Sequence, residues 1–152
     1  MSTRAVVAMG KGNGSWRLYY RHCDGYPTGL GMELVQLLKE GKNEEQIAGL
    51  AKLDFEAYTP GRLPEEAADT IFPSFQADLE WIYFISLSPP AFRFDIFRTS
   101  NPYFEENFTF HVWGAYLPYL PQNWKEQLQY VELAAMTTLK ALRAFNKAKE
   151  RR

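Results

Sequence analysis

Polar and hydrophobic residues alternate near the start of the chain and predict a β-hairpin. Residues 4–9 and 15–22 are rich in β-favouring side chains and flank a glycine-rich segment. Within that segment, Asn13-Gly14 tolerates the positive φ of a tight turn. The alternation along the second strand directs Arg21 away from the core.

Two helices are predicted after this hairpin. Leucines at helical spacing indicate a first helix over residues 30–40, and Gly41 is placed to end it in a left-handed cap. Asn43 and Gln46 form a capping-box signature for a second, shorter helix, which we expect to end near Asp54.

The segment from 55 to 77 lacks a sustained hydrophobic period. Because prolines and a glycine interrupt it, we predict an irregular connection that contains one helical turn at 64–70.

Aromatic strands are predicted next, arranged as an antiparallel meander. Their sequences are LEWIYFISL, AFRFDIFRTS and NFTFHVWGAYL, with NPYFEE between the last two. The polar pairs Arg93 with Asp95 and Thr109 with His111 fall on one face of their strands, and we expect them to look outward. The residues on the opposite, core-facing side are Phe92, Phe94 and Ile96 of one strand and Phe108, Phe110 and Val112 of the next.

A helix of about 25 residues is predicted at the end of the sequence. Asn123 and Glu126 give another capping-box signature, and an apolar stripe follows it. The stripe consists of Trp124, Leu128, Val131, Ala135, Leu139, Leu142 and Phe145. We therefore predict an α+β fold in which a roughly five-stranded, mainly antiparallel sheet carries helices on one face, among them the long C-terminal helix.

Composition fits a single α+β domain that spans residues 1–152. Hydrophobic residues make up 46% and charged residues 23%, and the 16% of aromatic residues predicts an aromatic core. No apolar run approaches the roughly 18 residues of a membrane span, and the N-terminus lacks a secretory signal. Since Cys23 is the single cysteine, no internal disulfide can form, and we expect a cytoplasmic protein.

The charge distribution argues against general nucleic-acid binding. The net charge is -1, although the stretch KALRAFNKAKERR carries six Lys or Arg residues against one Glu. A solvated helix end accounts for these cations, because positive side chains complement the negative end of a helix dipole. Nucleic-acid contact through this basic tail is the alternative interpretation.

The stretch YYRHCDGYPTGLG, residues 19–31, concentrates the candidate chemistry. A strand that runs through a glycine-rich loop into a helix aims backbone amides at one point, where the helix dipole favours an anion. The spacing matches neither a P-loop nor a dinucleotide-binding fingerprint. The candidate ligand-binding residues are Arg4, Arg21, His22, Asp24, Gly25, Tyr26, Gly29 and Gly31.

The same loop has a structural interpretation and a catalytic one. Gly25 and Gly29 can adopt backbone angles that other residues resist, and Asp24 can accept hydrogen bonds from following amides in an Asx turn. In the catalytic interpretation, His22 and Asp24 are an acid–base pair.

Metal and thiol chemistry receive little support from the sequence. Two histidines and one cysteine without a metal-binding spacing lead us to expect no metal and no cofactor. Cys23 as a nucleophile would need a base such as His111 to come within hydrogen-bond reach through folding.

About the first 40 residues resemble a group of small uncharacterised proteins of bacteria and phages. The resemblance rests on a short hairpin followed by Asp24-Gly25-Tyr26-Pro27, with Gly29 and Gly31 ahead of a leucine-rich helix, the pattern DGYP-x-G-x-G. It implies a shared local fold and a phage or mobile-element origin, and it implies no reaction.

Two functions remain open at this point. The first is a non-catalytic binding or interaction module, with a protein partner or a small anionic ligand at the loop 21–31, and with a homodimer as one form of partner. The alternative is a small hydrolase or transferase that uses His22 and Asp24 as acid and base, with an anion site at the start of the first helix.

Overall fold

Six strands and four α-helices make up the described part of the chain, which covers residues 3–10, 14–50, 53–60, 63–75, 79–88, 92–100 and 109–150 of a computed structural model. The strands are β1 (Arg4–Gly10), β2 (Ser15–Arg21), β3 (Leu53–Pro60), β4 (Leu79–Ser86), β5 (Arg93–Thr99) and β6 (Thr109–Tyr116). The helices are α1 (Met32–Lys39), α2 (Glu44–Ala48), α3 (Pro64–Phe75) and α4 (Trp124–Glu150), with a π-helical segment at Pro27–Gly31 and a 3-10 turn at Leu117–Tyr119.

The strands form one mixed sheet in the order β3-β2-β1-β4-β5-β6. Neighbouring strands are antiparallel, except that β1 and β4 pair in parallel at the centre. The sheet therefore consists of two antiparallel three-stranded halves, β3-β2-β1 and β4-β5-β6, joined by one parallel ladder. The predicted α+β fold with a mainly antiparallel sheet and a long C-terminal helix is confirmed.

Local turn chemistry at the start of the chain follows the predictions. β1 and β2 form the expected hairpin, and Gly14 has a positive φ of 78°, whereas Asn13 and the rest of the predicted turn lie outside the described residues. Gly41 has a φ of 73° just after α1, as expected of a left-handed helix cap. Asn43 and Gln46 form both hydrogen bonds of a capping box at the start of α2.

The predicted irregular connection over 55–77 is wrong for most of its length. It contains most of β3 and all of α3, so the sheet has one strand more than expected. Pro60 is the last residue of β3 and Pro64 the first of α3, where the missing N–H is tolerated. Pro60 and Pro64 thus delimit these elements, whereas Pro73 lies within α3, near its end. α2 ends at Ala48, earlier than expected, since the chain enters β3.

Helices cover both faces of the sheet, whereas the sequence predicted one face. Alternate residues of β1 belong to different hydrophobic cores, with Val7 in one and Val6 in the other. The first core is closed by residues of α1, α2 and α4, and the second by Ala67, Ala68 and Ile71 of α3. The cause of the error is α3, whose apolar residues lie in the segment that was expected to be irregular.

The meander β4-β5-β6 is confirmed, but one of its polar residues is buried. Phe94 and Ile96 enter the first core as predicted, whereas Asp95, expected to look outward, is buried on the opposite face. That face is covered in part by α3, and the side chains of Arg93 and His111 contact Asp95 there. NPYFEE and Phe108 lie outside the described residues.

The apolar stripe of α4 is buried over most of its length. Its buried members are Trp124, Leu128, Val131, Ala135 and Leu139. Leu142 is half-buried and Phe145 is exposed, so the prediction is wrong for the last residue of the stripe. Burial on α4 therefore fades towards its C-terminal end.

Candidate functional site

The loop between β2 and α1 is built around a strained aspartate. Asp24 has a φ of 55°, a left-handed conformation that aspartate tolerates better than most residues. Its backbone carbonyl accepts a hydrogen bond from the Leu30 amide at 2.9 Å. Its carboxylate accepts from the Tyr26 hydroxyl at 3.3 Å, and this negative charge raises the pKa of Tyr26. The predicted Asx turn is therefore replaced by a bond from a side-chain hydroxyl.

The glycines of the loop allow close approach and do not supply unusual backbone angles. A Cβ at Gly25 would lie 2.7 Å from the Cβ of Ala5, and one at Gly29 would lie 2.7 Å from the Asp24 carbonyl oxygen. At Gly31 the nearest atom would be 3.4 Å away, an ordinary contact. Gly25 and Gly29 are thus required by packing, and the left-handed conformation that was expected of them is found at Asp24.

Two hydrogen bonds fix Gly25 to the sheet. Its amide donates to the Thr3 carbonyl at 2.9 Å, and its own carbonyl accepts from the Tyr83 hydroxyl at 2.6 Å. Tyr83 lies in β4 and is fully buried, and this burial raises the pKa of its hydroxyl well above the ordinary value. The loop is therefore held by β4 and by the residue that precedes β1.

The amides that were expected to cradle an anion have partners within the chain. Those of Gly29 and Gly31 donate to the Tyr26 carbonyl at 2.9 and 3.4 Å. The Thr28 amide donates to the Glu132 carboxylate at 3.1 Å, which brings α4 against the loop. The start of the π-helical segment therefore faces the negative charge of Glu132, a residue of the protein itself.

The guanidinium of Arg21 is also engaged by the protein. Its Nε donates to the Cys23 carbonyl at 2.8 Å, and its Nη1 donates to the Leu50 carbonyl at 2.6 Å. Glu33 of α1 adds an ion pair at 3.3 Å. Arg21 therefore joins the loop to α1 and to the chain after α2, although its strand position predicted an outward side chain.

The structure does not join His22 to Asp24. His22 is exposed and its Nδ1 lies 3.3 Å from the Tyr20 hydroxyl, whereas Asp24 bonds to Tyr26. Within the part of the chain that the structure describes, no hydrogen bond links the two side chains. Arg4 is the first residue of β1, and the next residue, Ala5, pairs with Arg21 of β2.

A second polar cluster, which the sequence analysis did not identify, lies between β5 and β6. His111 Nε2 is 2.9 Å from Asp95 Oδ1, and Arg93 Nη2 donates to the same oxygen at 2.8 Å. Asp95 is buried, and its hydrogen bond with Arg93, together with its negative charge, raises the pKa of that guanidinium. Arg93 and His111 are themselves partly exposed, so this cluster reaches solvent.

Gly114 provides the space for this cluster. It pairs with Asp95 across the two strands, and a Cβ there would overlap Asp95 Oδ1 and lie 2.5 Å from Arg93 Nη2. The sequence pattern placed both polar pairs on one face, but the register that brings His111 to Asp95 depends on an irregularity in β6. A strand alternation alone therefore could not have revealed the contact.

The Asp95–His111 pair has the elements of an acid–base dyad. If Nε2 carries the proton, Asp95 fixes the imidazole and leaves Nδ1 as the proton acceptor. Cys23 is not available to this base, because β2 and β6 are four strand positions apart, roughly 19 Å at the usual strand spacing.

The third feature is the exposed side of α4, opposite the stripe that contacts the sheet. Tyr130 is 77% exposed and Leu133 is 66% exposed, and they lie one turn apart. Met136, one turn further along, is 45% exposed and lies at the border of this surface, because its sulfur is 4.0 Å from Nη2 of the buried Arg98 in β5. We define the α4 face as the exposed residues Glu126, Gln129, Tyr130, Leu133, Met136, Thr137, Lys140, Ala144 and Lys147.

Comparison with protein-family models, with curated proteins and with solved structures finds no match. Among the described residues, no group of three or more His, Cys, Asp or Glu could hold a metal ion. None of the helices in the described ranges combines the length and the hydropathy of a membrane span.

Proposed function

We propose that this chain is a non-catalytic interaction module that binds a protein through the α4 face. The observation that supports the proposal is the pair of large apolar side chains, Tyr130 and Leu133, on the solvent side of a helix whose other side is already packed. Exposed apolar surface of this kind, flanked by charged residues, is typical of protein-binding sites.

The loop 21–31 supports a small-ligand function less well. Its amides at Thr28, Gly29 and Gly31 already donate to acceptors of the protein, and Arg21 is bonded to two carbonyls and a carboxylate. An external anion would have to displace the Glu132 carboxylate from the start of the helix. We therefore assign the loop to architecture and the α4 face to binding.

We place the module in the cytoplasm, as an accessory protein of a phage or mobile element. Cys23 is an exposed free thiol, a state that reducing compartments maintain. The phage or mobile-element origin rests on the DGYP-x-G-x-G resemblance alone.

Radical footprinting tests protein binding at the α4 face and does not require the partner to be identified. Tyr130 and Tyr119 are matched probes, since they are 77% and 79% exposed and only Tyr130 belongs to the α4 face. In an extract of the cells that produce the protein, we expect labelling of Tyr130 to fall relative to dilute purified protein while labelling of Tyr119 stays constant. Equal labelling of both tyrosines in extract and in pure protein at every concentration would reject the proposal.

The Asp95–His111 hydrogen bond favours a second candidate function, a small hydrolase or transferase. His22 and Asp24, the pair first considered for this chemistry, form no such bond. A panel of p-nitrophenyl esters and phosphates provides the test, with His111→Gln as the probe and His22→Gln as the matched control. Turnover that His111→Gln abolishes and His22→Gln spares would support the enzyme, and turnover that survives in both variants would exclude the dyad from it.

A further inference from the structure

We infer that the protein bound by the α4 face is a second copy of this chain, with the two α4 helices packed antiparallel about a two-fold axis. The inference rests on the proposed function, namely that the α4 face binds protein. It adds the identity of the partner and the orientation of the two helices.

The distribution of charge along the α4 face carries this inference. Glu126 lies near its N-terminal end, and Lys140 and Lys147 lie towards its C-terminal end. At about 100° per residue, these three residues lie within roughly 40° of Leu133 around the helix axis. The α4 face is therefore negative at one end, uncharged in the middle and positive at the other end.

Two further charged residues near the N-terminal end of α4 are engaged away from the α4 face. The Lys125 ammonium lies 5.4 Å from the ring centroid of Trp124, a residue of the packed side of the helix. The Glu132 carboxylate accepts the hydrogen bond from the Thr28 amide. The charge at the N-terminal end of the α4 face is thus that of Glu126.

A face with this charge order is complementary to itself only when the two helices run in opposite directions. In an antiparallel pair centred between Met136 and Thr137, Glu126 of each helix lies opposite Lys147 of the other. A parallel pair would place Glu126 against Glu126 and Lys147 against Lys147, and like charges in such positions repel. The two-fold arrangement also closes on itself, so that it yields a dimer and no larger assembly.

The same centre places Leu133 of each helix within the contact. Leu133 of one helix lies opposite Lys140 of the other, whose aliphatic stem can cover it, and Met136 lies opposite Thr137. Because α4 has 27 residues and so is about 40 Å long, this contact extends well beyond a single turn. Removal of Leu133 from water is the main favourable contribution at the centre.

Sedimentation equilibrium of the purified protein tests the dimer itself. We expect wild type to form dimers, and Leu133→Lys to weaken association at least about tenfold, because it replaces an apolar side chain by a cation that lies opposite Lys140 of the other helix. Leu63→Lys is the matched control, since Leu63 is a 56% exposed leucine outside the α4 face, and it should associate like wild type. A wild type that remains monomeric up to millimolar concentration, or equal behaviour of the two variants, would overturn the dimer.

Charge reversal tests the pairing between the helix ends. Glu126→Lys alone and Lys147→Glu alone should each weaken dimerisation roughly fivefold or more, since each creates two like-charge contacts per dimer. The double variant restores opposite charges and should return to within about threefold of wild type. Losses that simply add in the double variant would overturn the antiparallel arrangement.

Disulfide cross-linking tests the orientation directly. In a Cys23→Ser background, Thr137→Cys should cross-link to its own copy because it lies at the two-fold axis. Glu126→Cys should not, because its two copies are separated by about 31 Å along the helix axes. Cross-linking of both positions would indicate a parallel dimer and overturn the inference.

The results separate failure of the dimer from failure of the proposed function. If pure protein is monomeric but cell extract protects Tyr130 from labelling, the α4 face binds a different protein and only the second-copy inference is wrong. If neither concentration nor extract protects Tyr130, both proposals are wrong.

Discussion

Single residues in the loop between β2 and α1 have separable roles, and two of its glycines illustrate this. Gly29→Ala should lower the free energy of unfolding by about 1–3 kcal/mol, because its Cβ would press against backbone that cannot move aside. Gly31→Ala should change it by less than about 0.5 kcal/mol, since the new Cβ meets only ordinary contacts. Chemical denaturation of both variants measures the difference, and equal losses would contradict the proposed packing of Gly29.

The buried hydroxyl of Tyr83 makes a prediction about alkaline pH. Burial in the folded state raises the pKa of the Tyr83 hydroxyl. Its contribution to the free energy of unfolding is complete below about pH 10, the ordinary pKa of tyrosine, and is lost as the pH rises from there through the higher pKa of the folded state. Tyr83→Phe should lose about 1–2 kcal/mol near pH 7, since the Gly25 carbonyl loses its donor. It should then show a smaller further loss than wild type between about pH 9 and pH 11.

The control for this measurement is Tyr119→Phe, which removes the hydroxyl of an exposed tyrosine. Its unfolding free energy should follow the wild-type pH profile. If Tyr83→Phe also follows that profile up to about pH 11, the hydroxyl of Tyr83 does not couple folding to pH.

Residues whose role depends on near neighbours in sequence were predictable, and those held by distant partners were not. The positive φ of Gly14, the cap at Gly41 and the capping box at Asn43 follow from local rules and are confirmed. The Glu132 carboxylate reaches the Thr28 amide from a position 104 residues away, which no local pattern encodes. This contact is the one that changes the interpretation of the loop, because it fills the expected anion position from within.

At the scale of elements, the packed side of α4 should contribute to the stability of the fold far more than its exposed side. Leu139→Ala should cost about 2–5 kcal/mol, because it leaves a cavity on the packed side of the helix. Lys140→Ala, on the adjacent exposed position, should cost less than about 0.5 kcal/mol for a protomer measured at low concentration. Thermal or chemical unfolding of both variants checks this, and similar losses would mean that the helix is not packed as described.

The elements that the sequence did not predict are β3 and α3, for a physical reason. Alternation of residue types over 53–60 is readable in the sequence, but Pro60 and Pro64 were interpreted as breaks within the segment. In the structure they stand at element ends, where proline's lack of an N–H costs little. Because α3 was not predicted at its full length, its packing on the second face of the sheet was not predicted either. The burial of Asp95 on that face was missed for the same reason.

For the whole molecule, self-association predicts a concentration-dependent melting temperature. Raising the concentration of wild type about 100-fold across the dissociation constant should raise the melting temperature by about 2–6 °C, since only folded chains associate. Leu133→Lys, which places a cation opposite Lys140 of the other helix, should melt at one temperature throughout the same range. A wild type whose melting temperature is constant over this range would contradict a dimer of folded chains.

The single parallel ladder between β1 and β4 also determines the order in which the chain can fold. Within the two antiparallel halves, the longest connection between paired strands runs from Arg21 to Leu53, whereas the ladder aligns Val6 with Ile82 and closes a longer stretch of chain. During synthesis, β1, β2 and β3 leave the ribosome before β4 does. The backbone groups of β1 that pair with β4 in the complete sheet then form an unpaired strand edge. We therefore expect closure of that ladder to be the slow step of folding, and we expect aggregation of the nascent chain to be most frequent before it.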